Sequence, residues 1–274
     1  MLDELQTVPN GGLMDAAASP SANQLLAALP RAAYRRLLTN CEEVHLTDDE
    51  TLFKANSALL FAYFPASSIV TLSYAVEETQ GVVAKAWPVG REGVVGVSAI
   101  LGNPQLDSRA DVQFAGLAYR IPVSDLLAEF HRADALQRLL LRYVFALITQ
   151  ASQLGVCNQH HALEQRLCRF LSRTFDRIEG NEVFVTQERI GKLLGIRRES
   201  ITESASRLQR AGIIKYRRGH VTLLNRKKLD GRACACGGII RRAFAAALEQ
   251  GSATTAYPRL ADSQGPLVSA VPTH

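Results

Sequence analysis

The sequence has few of the features that mark enzymes. It contains one Trp, two Met and five Cys in 274 residues. It shows no P-loop, no dinucleotide-binding fingerprint and no Ser/His/Asp order in a supporting context. A cupin-like metal enzyme would need several His and Glu ligands on neighbouring strands, yet His45 is the only histidine before residue 131. We therefore expect neither an enzyme nor a bound cofactor.

Signals for export or membrane insertion are also missing from the pattern. Residues 1–12 carry acidic but no basic residues, unlike a secretory signal. The longest apolar stretch, near residue 140, is interrupted by Arg142, so we expect no membrane span. The five cysteines are odd in number and lack disulfide-like spacing, which favours a reducing compartment. The expected location is the cytoplasm.

Positive charge is concentrated in one part of the chain. The whole sequence has 31 Lys and Arg against 26 Asp and Glu, a net charge of +5. Residues 186–242 alone hold 15 Lys and Arg against 4 Asp and Glu, a net charge of +11. The rest of the chain is therefore acidic overall. A local excess of this size predicts a polyanionic partner.

Residues 186–212 have the pattern of two short helices joined by a glycine turn. Thr186 is a suitable N-cap for the first helix, and Gly195 suits its left-handed C-cap. The second helix is predicted from about Arg197 to Ala211, with Gly212 ending it. Apolar residues at helical spacing form the inward faces: Ile190, Leu193 and Leu194 in the first helix, and Ile201, Ala205 and Leu208 in the second.

The pattern after Gly212 changes to a period of two residues. Two strands, Ile213–Arg217 and His220–Leu224, are predicted with a turn at Gly219. A basic hairpin next to a two-helix unit is typical of a winged helix-turn-helix, which places its second helix in the major groove of double-stranded DNA.

Side chains on the outer face of this unit are the candidate DNA contacts. The predicted base-reading residues are Arg198, Glu199, Thr202, Glu203 and Ser206. The predicted phosphate contacts are Thr186, Arg197, Lys215, Arg217 and Arg218.

The N-terminal half is predicted to be rich in strands after a helix at Asn23–Leu38. Short β-prone runs, such as Ile69–Tyr74, Gly81–Trp87 and Val112–Ile121, are separated by Gly, Pro, Asn and Asp. This punctuation indicates a sandwich or a barrel-like roll.

A long helix is predicted between the two halves. Apolar residues recur at spacings of three and four, as in a coiled-coil seam: Leu136, Leu140, Tyr143, Leu147, Ala151 and Leu154. We interpret these residues as the interface of a homodimer. The alternative is an amphipathic helix that packs on its own roll.

The residues above divide the chain into five segments. They are a flexible tail at 1–22, a β-roll effector domain at 23–132, a dimerisation helix at 133–160, a winged helix-turn-helix at 161–240 and a disordered tail at 241–274.

Three segments resemble the Crp/Fnr family of bacterial transcription regulators. Val185–Cys236 is similar to the family's DNA-binding domain, whereas Ala62–Tyr74 and Pro88–Gly102 are similar to its effector-domain signature. The resemblance implies an α+β fold with an N-terminal antiparallel, cyclic-nucleotide-binding-like β-roll, a long dimerisation helix and a C-terminal winged helix-turn-helix. It also implies RNA polymerase as a partner.

The family pattern assigns roles to the second helix of the head. Arg198 would read a guanine and Glu199 would accept from a cytosine amino group. Glu203 stands where the family often has Arg, which changes the expected half-site. Ser204 stands where a buried aliphatic residue is usual.

The same resemblance locates the effector pocket at five residues: Gly93, Gly96, Val97, Ser108 and Arg109. Nucleotide-binding members hold the ribose with a Glu at the position of Val97 and the phosphate with an Arg at Ser108 or Arg109. Because the ribose acceptor is missing, we expect an unknown small molecule and not a cyclic nucleotide as the effector.

Two alternatives stay open. The pair Cys234 and Cys236 could bind a metal, but no second pair of ligands is evident, so we expect small buried cysteines and no metal. His160 and His161 are interpreted as solvated or capping residues.

The alternative function is a small-molecule sensor that acts through protein partners and carries a vestigial DNA-binding head.

Overall fold

The computed structural model describes residues 19–75, 83–102 and 108–249, which form a β-roll, a long helix and a small winged head. The helices are α1 (Gln24–Ala27), α2 (Arg31–Leu38), α3 (Val123–Phe130), α4 (Ala135–His160), α5 (Leu163–Phe175), α6 (Gln187–Leu194), α7 (Arg198–Arg210), α8 (Arg226–Arg232) and α9 (Cys236–Leu248). The strands are β1 (Glu42–Leu46), β2 (Thr51–Phe53), β3 (Phe61–Pro65), β4 (Ile69–Ala75), β5 (Val83–Val89), β6 (Ser108–Phe114), β7 (Gly116–Pro122), β8 (Glu182–Phe184), β9 (Ile214–Arg217) and β10 (His220–Leu223). The predicted α+β class is confirmed.

Two antiparallel sheets make up the roll, in the orders β1-β7-β3 and β2-β6-β4-β5. Apolar side chains from both sheets meet in one core, which includes Leu46, Val70, Val89, Val112 and Ala118. The other face of the β1-β7-β3 sheet is buried as well, since Phe64 of β3 and Tyr119 of β7 belong to a second core that also contains residues of α1, α2, α3 and α4. Apolar burial on both faces of this sheet therefore stabilises the roll.

The predicted N-terminal helix is interrupted. Instead of one helix over Asn23–Leu38, the chain forms α1 and α2 with Pro30 as the N-cap of α2. Proline lacks the N–H group that a continuous helix needs, and it disfavours helical backbone in the residue before it. Within the segment predicted as a flexible tail, Pro20–Ala22 forms a 3-10 turn. Residues 1–18 lie outside the described residues.

The strand predictions in the roll have mixed outcomes. Strand Ile69–Tyr74 is confirmed as β4, which is one residue longer. The predicted strand Gly81–Trp87 overlaps β5, and its first two residues lie outside the described part of the chain. The predicted strand Val112–Ile121 is wrong as a single element, because β6 and β7 belong to different sheets. The apolar run continues through the point where the chain crosses from one sheet to the other.

Helix α4 packs against its own chain with the face that was predicted to form the dimer. Leu136, Leu140 and Tyr143 are buried in the core beneath the roll, and Leu147 and Leu154 pack partly against that core. This placement corrects the predicted seam, in which only Ala151 is exposed. The exposed apolar residues lie on the opposite side of α4, where they form a stripe of Leu141, Phe145, Ile148 and Val156. We call these four residues the α4 stripe.

By length and composition alone, α4 could also cross a membrane. The expectation that Arg142 rules out a membrane span is therefore not supported by this criterion. Helices of soluble proteins meet the same criterion, and one face of α4 is covered by protein.

Helix α9 extends into the segment predicted as a disordered tail. It begins at Cys236 and ends at Leu248, so the predicted domain boundary at residue 240 falls inside it. Ile240, Phe244 and Ala247 are buried in the same core as α4. Arg142 Nε donates to the carbonyl of Ala247 at 3.1 Å, near the C-terminal end of α9. Residues 250–274 of the predicted tail lie outside the described residues.

We expect Phe244→Ala to destabilise the core shared by α4 and α9 by about 3 kcal/mol, since it removes a buried ring and leaves a cavity. The ring centroid of Phe244 lies 5.8 Å from that of Tyr143, so the substitution removes a contact between two buried side chains of this core. Urea unfolding followed by circular dichroism measures the change. Ala246→Ser, at an exposed position of the same helix, serves as the control and should shift stability by less than about 0.5 kcal/mol. Equal effects of the two substitutions would contradict the burial of α9.

Candidate nucleic-acid interface

The first helix of the head and its turn form as predicted. Thr186 Oγ1 accepts from Arg189 N at 3.2 Å and caps α6. Gly195 closes the helix with a φ of 65°, in the left-handed region that favours glycine. A Cβ on Gly191 would lie 2.7 Å from the carbonyl oxygen of Ile196. Glycine at this position therefore allows the turn to pass close to α6, and the helix-turn-helix is confirmed.

Helix α7 has one buried face and one exposed face. Ile201, Ala205 and Leu208 are buried, as predicted, whereas Arg198 and Glu199 are exposed at its start. Ser204 is also fully buried, and its hydroxyl accepts from Arg207 Nη2 at 3.0 Å. The polar residue at this position is therefore satisfied by its own helix.

The basic hairpin is part of a three-stranded sheet. Strands β9 and β10 pair as predicted, and β8 pairs with the other side of β10. Strand β8 was not predicted, because three residues are too few to show the alternation of apolar and polar side chains that indicates a strand. Tyr216 fixes this wing to the head, since its backbone N–H donates to Gln209 at 2.8 Å and its hydroxyl donates to the carbonyl of Val185 at 2.5 Å.

All of the predicted phosphate-contact residues lie on the surface. Thr186, Arg197, Lys215, Arg217 and Arg218 are exposed. Thr186, Arg198 and Arg218 line a polar hollow of about 400 Å³ between the start of α6, the start of α7 and the wing. Two guanidinium groups and a helix N-terminus in this hollow can bind phosphate. Glu188 also lines the hollow, and its carboxylate is paired with Lys192 at 2.7 Å.

Three of the predicted base-reading residues are engaged by their own domain. Thr202 Oγ1 lies 2.6 Å from Gln187 Oε1, and Ser206 Oγ donates to the carbonyl of Thr202 at 2.8 Å. Glu203 accepts from Arg207 Nη1 at 2.7 Å. Arg198 and Glu199 are exposed in the first turn of α7.

A buried ion pair joins the head to the roll. Arg177, just after α5, donates from Nε and Nη2 to Glu92 Oε1 at 2.8 and 2.6 Å, and Nη2 also reaches the carbonyl of Pro88. Burial alone would raise the pKa of Glu92, but the charges of Arg177 and Arg173 outweigh it and lower that pKa. Burial lowers the pKa of Arg173 to about 10. Glu92 therefore remains ionised at neutral pH.

A second contact docks the helix-turn-helix itself on the roll. Arg189 of α6 donates to the carbonyl of Gln113 in β6 at 2.6 Å and lies 3.1 Å from Asp49 Oδ1. Together with the pair of Arg177 and Glu92, this contact defines the orientation of the head. Neither contact could be predicted from local sequence patterns, because the partners are separated by 76 or more residues.

The predicted effector residues come together only in part. Gly96, Val97 and Ser108 line a cavity of about 260 Å³ between the roll and α4. Gly93 lies instead against the Tyr143 hydroxyl, which is hydrogen-bonded to the backbone of Val94. The described residues that line this cavity are mostly apolar and none carries a charge: Phe53, Leu72, Tyr74, Val89, Val94, Gly96, Val97, Ser98, Leu101, Ser108, Tyr143, Val144, Leu147, Ile148 and Ala151.

Arg109 corrects the predicted pocket. It is exposed and donates from Nε to Asp111 at 2.9 Å and from Nη2 to Thr51 at 2.9 Å, and it does not line the cavity. An anionic ligand would therefore find no counter-charge among the described lining residues.

A cluster of thiol and imidazole groups lies where α4 ends. The sulfur atoms of Cys157, Cys234 and Cys236 and a ring nitrogen of His161 all lie within 4.8 Å of one another. The sequence alone showed no second pair of ligands beside Cys234 and Cys236. In the fold, Cys157 of α4 and His161, which follows α4, form that second pair.

Comparison with known proteins identifies the head. Residues 165–232 match the Crp-like helix-turn-helix domain. The chain carries a Crp-like helix-turn-helix. The predicted resemblance to Crp/Fnr regulators is thus confirmed for the DNA-binding domain of this chain, and no curated protein matches its sequence.

The fold of about 70% of the chain resembles that of solved regulator structures. FixK2 from Bradyrhizobium japonicum is 17% identical, with a TM-score of 0.60, over 71% of this chain and 98% of its own. A CRP-family transcriptional regulator from Thermus thermophilus is 18% identical, with a TM-score of 0.56, over 69% and 96%. The c-di-GMP responsive global regulator CLP from Xanthomonas campestris is 15% identical, with a TM-score of 0.52, over 72% and 100%. At these identities the likeness concerns the fold.

We expect Glu92→Gln to cost about 3 kcal/mol of stability at neutral pH, because it leaves buried guanidinium groups without their counter-charge. The lowered pKa of Glu92 means that the ion pair stabilises the folded state above the ordinary carboxyl pKa and loses this effect as the pH falls through the lowered value. The difference from the wild type should therefore shrink below about pH 4.

Urea unfolding at a series of pH values measures this difference. Glu179→Gln, an exposed carboxylate two residues beyond Arg177, is the matched control and should behave like the wild type. A loss that is independent of pH would show that the charge of Glu92 is not what joins head and roll.

Proposed function

We propose that this chain is a homodimeric transcription factor that binds a pseudo-palindromic site on double-stranded DNA. The observation that carries the proposal is the exposed start of α7 beside an exposed basic wing, in a head that matches the Crp-like helix-turn-helix. A helix held in this way fits the major groove, and the wing and the polar hollow fit the adjacent phosphates. The protein would act in the bacterial cytoplasm with RNA polymerase as a partner.

Base recognition would be divided along α7. Arg198 would donate both guanidinium hydrogen bonds to a guanine, and Glu199 would accept from a cytosine amino group. Glu203 is held by Arg207, so this part of α7 offers a carboxylate already paired with a cation. Phosphate contacts from Arg197, the wing and the polar hollow would supply an affinity that falls steeply with salt.

The α4 stripe is the dimer interface that we propose in place of the predicted seam. Phe145 is 69% exposed and Ile148 is 58% exposed, although both lie on a helix whose other side is in the core. Exposed apolar residues at spacings of four and three are typical of a helix that packs on a second helix. A two-fold axis along α4 would present two heads to half-sites about 10 base pairs apart.

The signal would enter through the cavity between the roll and α4. Its described lining is apolar and uncharged, which favours an apolar small molecule over a cyclic nucleotide. Val144 and Ile148 line the cavity, and Ile148 also belongs to the α4 stripe. A ligand with different affinities for two positions of α4 would shift the dimer between two spacings of its heads.

Arg198→Ala should weaken binding to the selected site by about 1–3 kcal/mol and relax the preference at one base pair, because a bidentate contact is lost. The site is first selected from random DNA with the wild-type protein, and binding is then measured by gel shift at two salt concentrations. Arg31→Ala, which removes one exposed positive charge from α2, is the matched control. An equal loss on selected and random DNA would contradict base reading by Arg198.

Phe145→Glu should convert the dimer into monomers and weaken binding to the two-half-site DNA by at least about tenfold, since it places a charge in the centre of the α4 stripe. Sedimentation equilibrium measures the association. Leu60→Glu changes an apolar side chain with the same 69% exposure, on the roll, and should leave the dimer intact. A dimer that tolerates Phe145→Glu would refute the proposed interface.

A further inference from the structure

We propose that Cys157, His161, Cys234 and Cys236 form a structural zinc site at the junction of α4 and the head. Three thiols and one imidazole are a complete ligand set for tetrahedral Zn²⁺, and structural zinc sites are closed by four protein ligands in this way. The set contains no oxygen ligand, which excludes Ca²⁺ and Mg²⁺ as natural occupants.

The distances already approach those of a tetrahedron. Cys157 Sγ lies 3.5 Å from Cys234 Sγ, and Cys236 Sγ lies 3.4 Å from His161 Nδ1. Zinc bonds of about 2.3 Å to sulfur and 2.0–2.1 Å to nitrogen give ligand-to-ligand edges of about 3.5–3.8 Å. Since no pair of ligand atoms is more than 4.8 Å apart, small side-chain rotations suffice to close the site.

Local structure explains why these four residues meet. Cys157 lies in the last turn of α4, and His161 is the residue that caps the helix, with its backbone N–H donating to the carbonyl of Cys157 at 3.1 Å. Cys234 lies just after α8, and Cys236 is the first residue of α9. Two pairs of ligands from distant parts of the chain thereby face each other.

The environment of the cluster also fits a metal. The three cysteines are buried and contact one another in a small cluster of their own. Gln153 Nε2 donates to Cys236 Sγ at 3.2 Å, the kind of contact that orients a thiolate ligand. His161 is only partly buried, which leaves an entry path for the ion.

A disulfide between Cys157 and Cys234 is the competing outcome. It would use two of the four donor groups and leave Cys236 and His161 without a role. Zinc would use all four, and it would tie the end of α4 to the connection between α8 and α9. The ion would therefore cross-link the long helix to the far side of the winged head.

The test measures the zinc content of the full-length protein purified under reducing conditions and reconstituted with Zn²⁺ alone. We expect about one ion per chain, as for a closed four-ligand site. His161→Gln and Cys236→Ser should each lose most of the bound zinc. His160→Gln, which changes the exposed neighbouring histidine, and Cys41→Ser, which changes a cysteine outside the cluster, should keep it. Circular dichroism establishes that each variant is folded.

Cobalt substitution provides a second, direct readout. Co²⁺ in this site should give the intense visible bands of tetrahedral coordination and a near-ultraviolet band from sulfur-to-cobalt charge transfer. A folded wild-type protein that takes up neither ion, or that loses no metal on His161→Gln and Cys236→Ser, would overturn the proposal. So would a Cys157–Cys234 disulfide trapped by alkylation in freshly lysed cells. None of these readouts depends on DNA binding, so the zinc site and the proposed function can fail independently.

Discussion

The architecture depends on a long helix that has more apolar surface than its own chain covers. Tyr143 and its neighbours on one side of α4 close the core of the roll, and α9 returns from the C-terminus to cover more of the same helix. The α4 stripe lies on the opposite side, and its side chains are 47–69% exposed. Because burying such a stripe is favourable by roughly 25 cal/mol per Å² of apolar surface, the fold of one chain leads directly to the proposal of a second.

The position of the head depends on charged contacts as well as on apolar ones. Ile69 and Phe114 of the roll are buried in the apolar core of the head. Two guanidinium groups also contact the roll: Arg177 on Glu92, and Arg189 on the backbone of β6. A buried ion pair with exact hydrogen-bond geometry specifies one orientation, but it contributes less net stability than apolar burial. In the switch that we propose, a junction of this kind would hold the head in a defined position and let it move when α4 moves. The cysteine cluster at the end of α4 lies at the same junction.

Much of the head could be predicted from the sequence, because its signals are local. The cap at Thr186, the glycine turn and the apolar spacing of α7 each involve residues a few positions apart. The dimer face could not be predicted in the same way. Apolar residues occur all around α4, and only the contacts of the folded chain show which face is covered. The cluster of Cys157 with Cys234 was missed for a related reason, since 77 positions separate the two residues.

One residue, Arg207, connects the two departures of α7 from the family pattern. Its guanidinium donates to Glu203 and to Ser204, and its Nε donates to Glu164 of α5 at 2.8 Å. The hydrogen bond from Arg207 lowers the pKa of Glu164, so this network remains ionised at neutral pH. The buried Ser204 and the exposed Glu203 are therefore both held by the same side chain, that of Arg207. An arginine at position 203 would lie one helical turn from Arg207 and would be repelled by its like charge. A change from Glu203 to arginine would therefore also disturb the contact that Arg207 makes with Glu164 of α5.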